Sequence, residues 1–220
     1  MNALLANKIA EIRDLDLERE CEGLYSARLP YHNFRHVQTV LGAAAQLLDD
    51  CQREGIAVDT HVVYFGLLLH DAGYHESHQD MGFPTKEAYS AAIARRVLGG
   101  RGIADDVIVR VEQAIMATLR DGQCHCVEDA VVRMADLSGV GADYPDFLRN
   151  TLNIRAEVAL MTGNPLSPWA DWCAGTQKVL SGYLAGNIHL TSDFDRSKPG
   201  NFFARGQANL DRLALEPEPR

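Results

Sequence analysis

The chain has 220 residues, 46% of them hydrophobic and 23% charged, with a formal net charge of −9. That is enough ordinary globular sequence to bury a substantial core, and the acidity argues against a surface that follows a nucleic-acid backbone. Five scattered cysteines (Cys21, Cys51, Cys124, Cys126 and Cys173) argue against a disulfide framework.

The first residues, Met1–Lys8, lack the basic segment and long apolar core of a signal peptide. No stretch reaches about 18 apolar residues, so a soluble, cytoplasmic protein with no membrane partner is expected. Cys124 and Cys126 flank His125, but no second cysteine pair completes a zinc site. That segment reads as a loop with two ordinary thiols.

Residues 3–20 place Leu4, Leu5, Ile9, Ile12, Leu15 and Leu17 at mostly helical spacing. Arg28-Leu29-Pro30 breaks the pattern, because proline disfavours helix in the residue before it. A helix with an apolar stripe at Val40, Leu41, Ala44, Leu47 and Leu48 then follows Tyr31-His32-Asn33-Phe34-Arg35-His36 and ends near Glu54-Gly55. It starts either before His32 or with Asn33 as its cap.

The next element begins near Asp59-Thr60, either of which can cap it. It runs through Val62-Val63-Tyr64-Phe65-Gly66-Leu67-Leu68-Leu69 and ends abruptly in His70-Asp71. Such a run wants burial, and nothing nearby supplies a partner strand, so it reads as a buried helix that delivers an imidazole and a carboxylate toward the interior. An unpaired ionised Asp there would be costly.

A polar loop of unusual length spans residues 72–84, with His75 and His78 in it. Thr85 caps a helix that carries Ala88, Ala91, Ala92, Ala94, Val97 and Leu98, and Gly99-Gly100-Arg101-Gly102 makes a turn. That turn lacks the preceding strand and the Gly-Lys-Ser/Thr of a phosphate loop. Helices are expected over residues 104–119, over 127–137 with Asp136 in it, and from an opening at Asp143-Tyr144-Pro145-Asp146 to about Met161, where Gly163-Asn164-Pro165 ends it. Ser167 reads as an N-cap with Pro168 at the first helical position, leading into Trp169, Trp172, Val179, Leu180 and Tyr183. After a loop from Gly186, a last helix covers Phe202–Leu213.

His36 shares the stripe of Val40, Ala44 and Leu47, where a lone histidine would ordinarily be a hydrogen-bonded core residue. With His70-Asp71 and Asp136, however, it completes a set of two imidazoles and two carboxylates, all among apolar neighbours. That mixed N/O set suits one divalent ion of the Mn, Fe, Co, Ni, Zn or Mg kind, which would activate water and polarise a phosphoryl oxygen.

The order His36, His70-Asp71, Asp136 resembles that of the HD-domain metal-dependent phosphohydrolases. Tyr31-His32-Asn33-x-x-His36 is similar to the opening motif of the cyclic-nucleotide phosphodiesterases of the same superfamily. Lys86-Glu87-Ala88-Tyr89-Ser90-Ala91 is similar to the Asn-Glu-x-x-Ser-Ala segment of a poorly characterised bacterial branch, with lysine replacing the asparagine. Leu137-Ser138-Gly139-Val140-Gly141 and Ile154-Arg155-Ala156-Glu157 look like that branch too.

The chain reads as essentially all helix in one domain over residues 1–220, with C-terminal helices and tail over 167–220; the resemblance, which runs over about residues 30–160, implies an all-α HD-type helical bundle. It implies that His36 is a metal ligand and His32 the general acid, with Asp71 or a neighbouring carboxylate accepting a proton. The expected activity is hydrolysis of a phosphomonoester or phosphodiester, on a nucleotide or other small phosphate ester, by metal-activated water.

Arg35, Lys86, Glu87 and His75 are candidate substrate contacts. Glu87 in a first helical turn also complements the helix dipole, and loop histidines are commonly just solvated. Two-metal relatives carry extra histidines before the final Asp. Ile115-Met116-Ala117-Thr118 has threonine there instead, so one metal is expected. A di-iron oxygenase, which would need His75, His78 or His125, is an alternative; so are a non-catalytic nucleotide-binding module and a plain helical interaction protein.

Overall fold

A computed structural model describes residues 8–186 and 188–219. Residues 1–7, and with them nearly all of the stretch read as lacking a signal peptide and the start of the helical spacing over 3–20, lie outside the described residues. Every regular element among the described residues is helical, and none is a strand. No helix there is long and apolar enough to cross a membrane.

The chain forms two compact units. The first comprises the described chain up to Arg28 together with His32–Asp136, and holds α1 (Lys8–Ile12), α2 (Leu15–Glu22), α3 (Phe34–Arg53), α4 (Thr60–Leu69), α5 (Lys86–Gly100), α6 (Asp105–Met116) and α7 (Val127–Asp136). The second comprises Leu29–Tyr31 and the chain from Leu137 onward. It holds a 3-10 turn at Leu137–Gly141, α8 (Tyr144–Thr162), α9 (Trp169–Ala185), a short 3-10 turn at Ser192–Phe194 and α10 (Phe202–Leu213).

The apolar run is the axle of the first unit. Val62 through Leu69 are all buried, and α4 packs against α1, α2, α3, α5, α6 and α7. Each large side chain so buried contributes roughly 1.5–3 kcal/mol, which explains why this helix is apolar all round. Gly66 permits close approach: a Cβ there would meet Val132 Cγ2 at 3.2 Å and Ala114 Cβ at 3.6 Å. Asp59 caps α4 by accepting from the amides of His61 and Val62, and Arg110 donates to the other Asp59 oxygen at 2.8 Å.

Three local expectations are corrected. The single helix expected over 3–20 is broken at Arg13–Asp14, because Asp14 turns out of helical geometry and its carboxylate caps α2 through the amides of Asp16 and Leu17. The helix expected over 104–119 stops at Met116, where Thr118 Oγ1 donates to Ile115 O at 2.8 Å in place of a further helical turn. Ser167 is not the cap of α9. Pro168 occupies that position with ψ 140° and supplies no side-chain bond, while the Ser167 carbonyl accepts from Arg155.

In the second unit α10 packs on the Leu137–Gly141 turn, α8 and α9. Asn209 Nδ2 donates to Val140 O and Ala142 O at 2.9 and 2.8 Å, and buried Glu157 accepts from the Tyr31 amide at 2.9 Å. Trp169 is buried and Trp172 half-buried, so neither stands out as an exposed aromatic interface.

Candidate metal centre

The ends of three helices of the first unit meet at one point. Asn33 is the N-cap of α3: its carboxamide oxygen accepts from the amides of Arg35 and His36. This cap places His36 on the first turn, on the inward stripe, and leaves His32 just outside the helix. α4 ends at Leu69, so His70 and Asp71 stand at its C-terminus. Asp136 is the last residue of α7.

His36 Nε2 lies 3.2 Å from Asp136 Oδ1 and 3.7 Å from Asp71 Oδ2. His70 Nε2 lies 3.0 Å from Asp71 Oδ2 and 3.5 Å from Asp136 Oδ1. Ligand atoms of His36, His70 and Asp71 are all within 4.8 Å of one another, the one such group of three or more among the described residues. The structure thus brings together the four side chains singled out from the sequence, two of them 100 residues apart.

Two features make this set fit a cation rather than a closed hydrogen-bond network. His70 Nδ1 is 2.8 Å from Leu67 O. A proton on Nδ1 satisfies that carbonyl, fixes the ring and leaves the Nε2 lone pair for coordination. Second, His70 Nε2 and Asp71 Oδ2 are buried yet neither makes a directed hydrogen bond, although they lie close together. Such orphaned atoms are costly, and a divalent ion between them would relieve both. Two imidazole nitrogens and two carboxylate oxygens are donors that first-row divalent ions and zinc accept.

The electrostatics agree. Burial opposes a charged His70, but Asp71 and Asp136 beside it hold its pKa well above the ordinary value. Burial likewise opposes charge on Asp71, yet His70 and then His32 lower it to about 2. Asp136 is also held low, against its burial, by His36 and His70. Without metal, the His70 proton offsets part of the carboxylate charge; a metal cation would take its place.

His32 stacks on Tyr74, with ring centroids 3.8 Å apart and planes 14° from parallel, and its ring lies 5.9 Å from that of His36. Lys86 Nζ sits 3.4 Å from the Tyr74 ring centroid and donates to Tyr74 O at 3.2 Å. Glu87 is half-buried on the first turn of α5, whereas Arg35 and His75 are exposed, His75 with Nε2 3.8 Å from Glu76 Oε1. His78 is half-buried and His125 exposed; none of these three histidines belongs to the cluster.

Two aromatic residues escaped sequence reasoning. Tyr25 is buried and donates to Leu68 O at 2.9 Å, occupying a free carbonyl in the last turn of α4; burial and the Asp71 charge push its pKa up. Tyr74, three residues after Asp71, had one available signal: an aromatic directly after His-Asp-Ala-Gly.

No family model matches the sequence, and no curated protein matches it. Among solved structures, the phosphodiesterase domain of the Salpingoeca rosetta rhodopsin phosphodiesterase is similar. The similarity covers 91% of this chain and 79% of that one, with a TM-score of 0.63 at 14% sequence identity. The two share a fold.

Proposed function

We propose that the protein is a metal-dependent phosphohydrolase of the HD type, acting on a nucleotide or other small phosphate ester. The observation that carries this reading is the convergence of His36, His70, Asp71 and Asp136 with two buried, orphaned ligand atoms among them. The shared fold with a phosphodiesterase domain supports it.

His36, His70, Asp71 and Asp136 would hold one divalent ion. That ion, when bound, polarises a phosphoryl oxygen and makes a water acidic enough to attack at neutral pH. Asp71 or a neighbouring carboxylate would accept a proton from the attacking water. His32, whose ring lies 5.9 Å from that of His36, would protonate the leaving oxygen. Lys86, Glu87, Arg35 and His75 remain the proposed substrate contacts, with half-buried Lys86 and Glu87 favoured over the exposed pair.

A single ion is favoured over a two-iron oxygenase because Thr118 bonds its own helix end and His75 and His125 are exposed. Elemental analysis of the purified protein, followed by a monoester and diester screen with Mn, Fe, Co, Ni, Zn and Mg, tests the reading. About one ion per chain is expected, together with hydrolysis that Asp136→Asn abolishes along with metal retention. His32→Ala should lower turnover by about 10²-fold or more and leave metal content intact. Protein that neither retains nor responds to any of these ions would instead be a helical binding module.

A further inference from the structure

Tyr74 forms the centre of a three-layer stack. The His32 imidazole lies parallel to its ring at 3.8 Å, and the Lys86 ammonium lies 3.4 Å from the same centroid. Two groups that close to one centroid must take opposite faces. Both faces of the phenol ring are therefore used, and Tyr74 is no platform for a nucleobase.

Its backbone is held just as firmly. The Tyr74 amide donates to Asp71 O at 3.0 Å, and the preceding Gly73 amide donates to Leu24 O at 3.0 Å. Gly73 has φ +76°, and a Cβ there would meet Ile93 Cδ1 and Tyr89 Cε1 at 2.7 Å. One face at the start of α5 grips the same turn: Lys86 bonds Tyr74 O, Ser90 Oγ donates to Ala72 O at 2.9 Å, and the Tyr89 hydroxyl bonds Glu76. Positions 86, 89 and 90 share a helix face. The turn that presents Asp71 to the cluster thus also presents Tyr74 to His32.

His32 precedes the α3 cap, and its ring lies face to face on Tyr74. We propose that Tyr74, clamped from behind by Lys86, is the positioning residue that holds the His32 imidazole in the plane from which it protonates the leaving oxygen. This rests on the hydrolase reading. In that step the phosphorus–oxygen bond to the leaving group breaks, and the departing oxygen takes the His32 proton, which water from solvent later restores. Lys86 on this account acts through Tyr74 and is a positioning residue as well.

The test compares Tyr74→Leu, Tyr74→Phe and Lys86→Met with the parent in the full-length, metal-loaded protein. Aryl leaving groups need little protonation, whereas alkoxide ones need it strongly. The probes are p-nitrophenyl phosphate against adenosine 5′-phosphate for monoesters, and bis-p-nitrophenyl phosphate against adenylyl-adenosine for diesters. Tyr74→Leu should lower kcat on the nucleotide probe about tenfold or more while changing the p-nitrophenyl probe by less than about threefold and metal content not at all. Tyr74→Phe should restore the nucleotide rate, and Lys86→Met, which also removes a proposed substrate contact, should lower kcat on both probes, the nucleotide one more.

Independently of activity, the His32 ring protons should lie upfield in NMR spectra of the zinc-exchanged protein and move downfield in Tyr74→Leu but not in Tyr74→Phe. Equal losses on both probes, lost metal in Tyr74→Leu, or His32 resonances indifferent to that substitution would overturn the proposal. A parent that shows the upfield resonances yet hydrolyses neither probe pair would overturn the hydrolase reading, and the catalytic role with it.

Discussion

His70 is the residue on which the chemistry of the cluster turns, because Leu67 O claims one ring nitrogen and the two carboxylates surround the other. In the metal-free protein its raised pKa means that the folded state binds a proton more tightly than the unfolded chain does. That stabilisation is fully present below the unfolded histidine value of about 6.5 and is lost as pH rises through the folded one. Asp71 works the other way. Its pKa of about 2 lies below an unfolded value of about 3.9, so its contribution is present above about pH 4 and disappears as pH falls toward about 2.

Urea midpoints of the chelated protein should therefore be highest between about pH 4 and 6.5 and decline on either side. Metal binding must displace the His70 proton, so affinity for Mn should tighten about tenfold per pH unit between pH 6 and the folded histidine pKa. Competition titrations against a fluorescent chelator would show this. A dissociation constant that does not change with pH would mean that His70 is not a ligand.

At the scale of elements, helix ends do the positioning. α3 starts at Asn33, and its cap sets which side of the first turn His36 faces. Asn33→Ala removes two accepted amide bonds and should cost about 1 kcal/mol in urea unfolding, with a further loss of metal retention as the first turn frays. The turn after α4 is more demanding. Gly73→Ala adds both a positive-φ penalty and a 2.7 Å collision with Ile93 and Tyr89. It should destabilise by about 1–3 kcal/mol and reduce metal content, since Asp71 is on the same turn. Gly82→Ala, with similar φ but open space around its Cβ, should cost less and spare the metal. The comparison separates backbone strain from displacement of the ligand turn.

Across the whole molecule, the cluster joins the ends of α3, α4 and α7, so an ion there would link residues 100 positions apart in the chain. A ligand that binds only the folded state stabilises by about 2.7 kcal/mol at a hundredfold excess over its dissociation constant. Chelation should accordingly lower the thermal midpoint by several degrees, and readdition of the ion should restore it. Asp136→Asn protein should melt at the same temperature with and without chelator.

Much of this architecture is written locally. The apolar run of α4, the Thr85 cap and the last helix at Phe202–Leu213 are legible from the chain, and Asn33 and Asp59 each stand among two candidate starts for their helices, because helix formation depends on residues within about four positions of each other. Where two local signals compete, local reading fails: the helical spacing over residues 3–20 runs through Asp14, which instead caps α2, and Ser167 reads as a cap until Pro168 takes that place. The types of the ligand residues are equally legible, since carboxylates and imidazoles on otherwise apolar segments demand partners. Their meeting is expected from that shared demand and from the family resemblance, but no local pattern shows it. His36 and Asp136 come within 3.2 Å across 100 residues, and His32 finds Tyr74, only because α4 packs simultaneously against α3, α5 and α7. Those contacts follow from the complementarity of surfaces distant in the chain, and no periodicity or spacing within one segment encodes them.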